Sequence, residues 1–234
     1  MNQMKSQILK IALVAAAVLV SATALAQQPA KPAQPAIPGK ILLKSGAEVA
    51  GGIRWMPQAR KYVVSQRRGE QTISQDIALA DVARVVVNKP EKLDGAIAAV
   101  KAGRSSVAIP ALEAIVRQYA MMEWDEAAAR YLAKAKLDTD DTAAAMAICE
   151  NIIKVKPSAA YVGDVAPIYW AALLKTDKKA KLNDLLVKAI ANGNEEASAA
   201  ALVMRGDILM EQKDAFNALK DGYLRAVLLY EKCH

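Results

Sequence analysis

Residues 129–157 read ARYLAKAKLDTDDTAAAMAICENIIKVKP, and this stretch decides the fold of the larger part of the chain. Its second half has apolar residues at offsets 0, 3, 4, 7 and 8, which lie on one face of a helix. The members of this stripe are Ala145, Ile148, Cys149, Ile152 and Ile153. An acidic pair precedes the stripe and can cap a helix start, and a proline follows its end. The stretch therefore predicts two helices joined at an acidic turn.

The same arrangement recurs on both sides of this stretch. Small residues near the start of the second helix of each pair are Ala111, Ala145, Ala180 and Ala218, at intervals of 34, 35 and 38 residues. A period of this length is typical of stacked helix pairs. We expect four pairs within residues 90–234, with first helices at about 93–101, 124–134, 165–174 and 197–210.

A strand periodicity occupies residues 41–89. Short β-branched or alternating apolar runs are separated by turns every eight to twelve residues, and Gly51-Gly52 marks a sharp bend. Five short antiparallel strands would form a small bent barrel, which we expect to lean on the helices because about 50 residues make a marginal core. The predicted fold class is therefore α+β: a small N-terminal antiparallel β barrel followed by an α-helical solenoid of about four helix pairs.

The first 26 residues have the layout of a secretory signal peptide. Lys5 and Lys10 precede an apolar run at 11–20, and Ala24-Leu25-Ala26 offers small residues for cleavage after Ala26. A membrane anchor is the alternative, but polar residues interrupt the run before the about 20 apolar residues that a span needs. We expect a periplasmic or secreted protein without a transmembrane span after cleavage. Residues 27–40, with proline at every third position, predict an extended polyproline linker.

The composition excludes several kinds of catalytic site. The 234 residues include one histidine, His234, and two cysteines, which leaves no basis for histidine acid–base chemistry, histidine metal sites or thiolate clusters. The sequence contains no nucleophile elbow, phosphate-binding glycine loop or cysteine-pair motif. The prediction is a protein that is not an enzyme and holds neither metal nor cofactor. A hydrolase that uses carboxylates is the enzymatic alternative.

The basic excess of the chain lies in its β segment. Residues 27–90 carry ten Lys and Arg against four acids, whereas residues 91–234 carry 19 against 20. Arg60, Lys61, Arg67 and Arg68 lie at predicted adjacent turns and could attract an anionic wall polymer or lipid. Solubilising charge on exposed strands is the other interpretation. Export and the scarcity of aromatic residues argue against nucleic acid.

The helical part resembles the tetratricopeptide repeat family. Ala133, Ala145 and Pro157 have that family's small–small–proline spacing, and Gly206 and Ala218 stand twelve residues apart. The first pair departs from the pattern, with Glu123 where proline is expected, and the third pair has Ile168 at a small position. The family resemblance implies binding of a peptide or partner domain in a concave groove rather than catalysis.

The β segment resembles the small SH3-like or Sm-like barrels. The resemblance rests on the pattern LLKSG-E-V-GGI, with its glycine bend, and on the acidic turn at Asp81 before the last strand. It covers under a quarter of the chain and carries over no ligand-binding residue.

Stacked helix pairs leave one side of their first helices free for a partner. The candidate groove residues on that side are Arg130, Lys134, Tyr169, Val203, Asp207 and Met210. We therefore expect a non-enzymatic exported scaffold whose repeats bind a protein partner in the cell envelope. The alternative is an envelope protein whose basic barrel binds an anionic polymer or lipid. The last helix, still rich in Leu and Tyr, predicts a partner contact or self-association there.

Cys149 occupies a core position in its stripe and is expected to be a buried, unreactive thiol. Cys233 lies about two repeats further along the chain. Because stacked pairs are separated by about 10 Å, we expect no disulfide between the two.

Overall fold

A computed structural model describes residues 35–192 and 194–230 of the chain. The predicted signal peptide, residues 27–34 of the predicted linker and Cys233 lie outside these residues. The described part is α+β, with a five-stranded antiparallel sheet followed by about eight helices. The predicted class and the order of its two parts are therefore confirmed.

The sheet has the strand order β4-β3-β2-β1-β5, and every neighbouring pair is antiparallel. Its strands are β1 (Ile37–Leu43), β2 (Glu48–Met56), β3 (Lys61–Arg68), β4 (Gln71–Ala78) and β5 (Val82–Val87). Four strands form a meander, and β5 returns to pair with β1. The sheet is open at β4 and β5, so the predicted closure into a barrel is not observed. β4 buries only Ile77 and has no second apolar row to place inside a closed barrel.

The first strand begins inside the segment that the proline spacing predicts to be linker. Ile37 and Pro38 already pair with β2, so the predicted linker boundary at residue 40 is wrong. β5 ends at Val87, opposite Gly39, and the preceding residues of β1 therefore have one neighbouring strand, a place where proline is tolerated. A Cβ on Gly39 would lie 2.5 Å from the carbonyl oxygen of Val86. Only a residue without a side chain therefore lets β1 and β5 approach so closely at this position.

The helices follow in the order that the apolar stripes predict. They are α1 (Leu93–Lys101), α2 (Ser105–Gln118), α3 (Asp125–Asp138), α4 (Thr142–Val155), α5 (Val165–Lys175), α6 (Lys179–Ala191), α7 (Glu195–Glu211) and α8 (215–229). α8 contains a π-helical segment, Ala218–Tyr223. The carboxylate of Asp141 accepts a hydrogen bond from the Ala144 amide at 3.3 Å and caps α4, as the acidic turn predicts.

Each helix packs against the next one in the chain, and the first helices of successive pairs also touch. Contacts of this second kind join α1 to α3, α3 to α5, and α5 to α7. Ala133, Ala145 and Cys149 are fully buried where α3 and α4 meet, as expected for small residues at a close helix crossing. The helices of the described part therefore lie in sequence order, each in contact with the next.

The sheet packs its apolar face against the segment that connects α2 to α3. Ile41, Ile53 and Val64 are completely buried in this core, and Met122 from the connecting segment joins them. Tyr119 and Trp124 pack at its edge. The sheet thus leans on the helical part, as its small size leads us to expect.

Polar contacts also hold this connecting segment to the sheet. The Tyr62 hydroxyl donates to the Met121 carbonyl at 2.6 Å, and Trp124 Nε1 donates to the Val87 carbonyl at 3.1 Å. Glu123 forms an ion pair with Arg84 at 2.6 Å. Glu123 stands where the repeat pattern expects a proline, and its contact with the sheet gives that departure a structural role.

Replacing Tyr62 by phenylalanine is expected to weaken the junction between sheet and helices. The loss should be about 1 kcal/mol at neutral pH, because the Met121 carbonyl loses its donor. Burial, assisted by the nearby Asp125 carboxylate, raises the pKa of Tyr62 to about 12. The folded protein then keeps a proton that an unfolded tyrosine, with its ordinary pKa of 10.0, has lost. Stability should therefore fall as the pH rises between these two values.

Urea unfolding at neutral and alkaline pH measures both effects. The variant should start less stable and lose less stability with rising pH than the parent protein. Burial also raises the pKa of Cys149 to about 12, and this contribution is common to both proteins. An identical alkaline loss in parent and variant would contradict the assignment to Tyr62.

Candidate functional site

Three depressions that share lining residues lie along the first helices α3, α5 and α7. A polar section, of about 420 Å³, lies between α3 and the start of α5, and an apolar section, of about 510 Å³, lies between α5, α7 and α8. A small cavity of about 70 Å³ joins them. This cavity shares Gly163 and Asp164 with the polar section. It shares Pro167, Trp170, Glu196 and Ala200 with the apolar section. We call these three depressions together the first-helix groove.

The apolar section is lined by side chains from three helices. Val203 and Met204 come from α7, and Val227 and Tyr230 come from α8 and its end. Val203 keeps 42% of its surface exposed. Trp170 lies beneath them, fully buried, and its Nε1 donates to the Ala160 carbonyl at 2.9 Å. The section therefore offers an aliphatic and aromatic wall above a buried tryptophan.

Two glycines bring α8 against α7 and so form one wall of the apolar section. A Cβ on Gly222 would lie 2.6 Å from Gly206 Cα, and a Cβ on Gly206 would lie 2.6 Å from the Tyr223 ring. The Tyr223 hydroxyl donates to Asp207 Oδ1 at 2.7 Å, and this hydrogen bond raises the pKa of Tyr223. The repeat spacing pairs Gly206 with Ala218, whereas the structure places Gly222 at the closest approach.

Charged side chains dominate the polar section. Glu126 and Arg130 reach it from α3, and Lys156 and Asp164 reach it from the segment between α4 and α5. Arg130 forms an ion pair with Asp164, and the Asp164 carboxylate makes no capping hydrogen bond to α5. The Arg130 guanidinium also lies 4.8 Å from the centre of the Tyr131 ring. These contacts orient Arg130 along the groove wall.

Three of the six residues predicted for the groove line it: Arg130, Val203 and Asp207. Lys134 and Met210 are not among the lining residues of these sections. Lys134 forms an ion pair with Asp138 one helical turn away, and Met210 is exposed. The spacing from the small residues therefore leads to residues that line the groove on α3 and α7 and to others that lie outside it.

The prediction for Tyr169 is wrong. Its side chain is 2% exposed, and its hydroxyl donates to Glu150 Oε1 on α4 at 3.2 Å. Lys181 lies 5.3 Å from the centre of its ring. Burial raises the pKa of Tyr169. Tyr169 is therefore a contact between helix pairs, and the neighbouring Trp170 is the residue that reaches the groove.

Sequence reasoning missed several groove residues. These are Glu126, Pro167, Trp170, Glu196, Met204, Tyr223, Val227 and Tyr230. Residues of α7 one turn apart, such as Ala200, Val203, Met204 and Asp207, line the groove together. This spacing was a usable signal. The contribution of α8 to the groove could not be read from the sequence spacing, because it depends on the π-helical segment.

The predicted basic patch is not a single cluster. Arg60 and Lys61 lie at the start of β3, and Arg67 and Arg68 lie at its end, separated by about 23 Å at the usual rise of a strand. The two turns follow opposite ends of the strand, so the expectation of adjacent turns is wrong. Lys61 forms an ion pair with Asp76, and Arg67 Nε donates to the Gly69 carbonyl at 3.3 Å. The four cations therefore do not form the single anion-binding patch on which the alternative function, binding of an anionic polymer or lipid, depends.

Two further surfaces stand out among the described residues. A polar depression of about 590 Å³ lies between α6, α7 and α8, with Arg205 and Arg225 among its lining residues. The outer face of α8 exposes Phe216 and Leu228, at 72% and 77%. Self-association through this face stays a prediction.

The described residues contain no group of three or more His, Cys, Asp or Glu side chains that could hold a metal ion. Of the helices within residues 35–192 and 194–230, none has the length and apolar character of a membrane span. Cys149 is fully buried, as its place in the stripe predicts. No protein-family model, curated protein or solved structure matches the chain.

Proposed function

We propose that this chain is a non-enzymatic, exported interaction scaffold. Its helix pairs would form a tetratricopeptide-like solenoid that binds a segment of a protein partner in the cell envelope. The observation that carries the proposal is the first-helix groove, lined by α3, α5 and α7 with a wall from α8. Solenoids of stacked helix pairs use surfaces of this kind for binding.

Two features of the helices support the solenoid. The helix pairs follow one another in sequence order, and the first helices touch from one pair to the next. In a solenoid each repeat packs against its neighbours, and the contacts between successive helices and between alternate helices from α1 to α7 support that arrangement. The exported location rests on the signal-like residues 1–26.

Site-specific photo-crosslinking tests the proposal. A photoreactive phenylalanine analogue placed at Val203, inside the groove, should give one discrete adduct in intact cells. The same analogue at Val187, which is 55% exposed on α6 and is not a groove residue, should give none. The comparison matches two exposed valines on adjacent helices of one protein.

Thermal melting of both variants confirms that each is folded before the adducts are compared. Adducts of the same mass at both positions would indicate collision with abundant proteins. That result, or the lack of any adduct at Val203, would contradict a partner in the groove.

A further inference from the structure

The first-helix groove differs in charge from the chain as a whole. The full sequence has a formal net charge of +7. The groove, by contrast, is lined by five carboxylates and two cations. The carboxylates are those of Glu123, Glu126, Asp164, Glu196 and Asp207, and the cations are Arg130 and Lys156. A local field of the opposite sign to the net charge of the chain selects the charge of the molecule that enters.

Ion pairs within the protein leave most of this negative charge available. Arg130 is occupied by Asp164, and Glu123 is occupied by Arg84. Asp207 accepts a hydrogen bond from the neutral Tyr223 hydroxyl and keeps its charge. Among the described groove residues, three carboxylates and one cation then remain outside these ion pairs. The carboxylates are Glu126, Glu196 and Asp207, and the cation is Lys156.

The apolar section lies next to these carboxylates. Glu196 lines both the joining cavity and the apolar section, beside Pro167 and Trp170. Asp207 is one turn beyond Val203 on α7 and lines the same section. A ligand that fills the apolar section therefore places its flanking groups against carboxylates at both ends of that section.

We infer that the groove binds a polypeptide segment in which aliphatic side chains alternate with or are flanked by Lys and Arg. The aliphatic side chains occupy the section formed by Val203, Met204 and Val227, and the cationic side chains lie against Glu126, Glu196 and Asp207. This inference rests on the proposed function and adds the chemistry of the partner. Acidic segments are rejected by like-charge repulsion, which determines specificity as strongly as attraction does.

Fluorescence anisotropy with labelled peptides tests the inference on the full chain without its first 26 residues. The probes are three peptides of about 12 residues, long enough to cross the groove in an extended form. One alternates leucine with lysine, one alternates leucine with glutamate, and one alternates serine with lysine. The leucine–lysine peptide should bind at least about tenfold more tightly than either of the others, because only it satisfies both sections. Its affinity should fall as salt is added.

A double variant, Glu126→Gln with Glu196→Gln, should weaken the leucine–lysine peptide by about fivefold, the effect expected for two exposed ion pairs. The matched control is Glu91→Gln with Asp184→Asn, which removes the same charge from exposed positions outside the groove. The control should change the affinity by less than about twofold. Equal weakening by both double variants would show nonspecific charge attraction and overturn the inference.

The two proposals fail differently. A discrete adduct at Val203 together with preferential binding of the leucine–glutamate peptide would retain the scaffold and overturn the basic-segment inference. No adduct and no peptide binding would overturn both. Tight binding of the serine–lysine peptide would show that the apolar section is not used, which also contradicts the inference.

Discussion

Replacing Trp170 by alanine is expected to lower the free energy of unfolding by about 3–5 kcal/mol, the largest effect of any single change considered for this chain. Trp170 is completely buried at the centre of the larger helical core and touches the floor of the first-helix groove. The variant loses the transfer free energy of the indole and leaves a cavity that α5 cannot close. Because small proteins are stable by only about 5–15 kcal/mol, much of the folded population could be lost.

Urea unfolding of the parent protein and two variants at Trp170 measures the effect. Trp170→Phe keeps much of the ring volume but leaves the Ala160 carbonyl without its donor, so it should cost about 1–3 kcal/mol. The urea midpoint should be highest for the parent protein, lower for Trp170→Phe and lowest for Trp170→Ala. A free energy of unfolding for Trp170→Ala within about 0.5 kcal/mol of the parent value would mean that the indole is not in the core.

Replacing Gly222 by alanine is expected to cost about 1–3 kcal/mol, since the added methyl group meets backbone rather than a movable side chain. Its Cβ would lie 2.6 Å from Gly206 Cα, 2.7 Å from Gly206 N and 3.1 Å from the Leu202 carbonyl oxygen. α8 must then move away from α7. Because α8 forms a wall of the apolar section, the same change should weaken binding of the leucine–lysine peptide.

The matched control for this substitution is Gly95→Ala in α1. Gly95 lies in a helix, and nothing is within 4 Å of the Cβ position. Alanine there should stabilise the protein by about 0.5–1 kcal/mol through its better helix propensity. Thermal melting should therefore shift in opposite directions for the two glycine substitutions. A shift in the same direction would contradict the close contact between α7 and α8.

The helices could be predicted because their signal is local. The stripe around Ala145 and Cys149, the acidic turn before Thr142 and the proline at 157 each act within one helix or at its end. The sequence of the last helix pair has one more residue before Tyr223 than the repeat pattern expects. The structural result of this extra residue, the π-helical segment Ala218–Tyr223, was not predicted, because only packing against α7 decides where an inserted residue is accommodated.

The site could be predicted only in part, because a groove is a property of several helices at once. Sequence reasoning about the free side of the first helices led to Arg130, Val203 and Asp207, which line the groove. It could not distinguish Tyr169 from Trp170, since adjacent residues on α5 face different neighbours. The basic patch failed for a related reason. Its geometry depends on the length of β3, which runs over Lys61–Arg68 and places the two basic turns at opposite ends of the strand.

The segment that connects α2 to α3 determines where the chain can be cut into expression fragments. The residues that close the apolar side of the sheet, Met122 above all, come about 35 positions after the last strand ends at Val87. An expression fragment that stops at residue 89 would therefore leave Ile53 and Tyr62 facing solvent and would be prone to precipitate. A fragment that keeps the sheet covered must extend at least through Trp124 and therefore includes α1 and α2. Because α3 packs against both of these helices, a cut directly after Trp124 would expose a second apolar core, which includes Leu112 and Leu132.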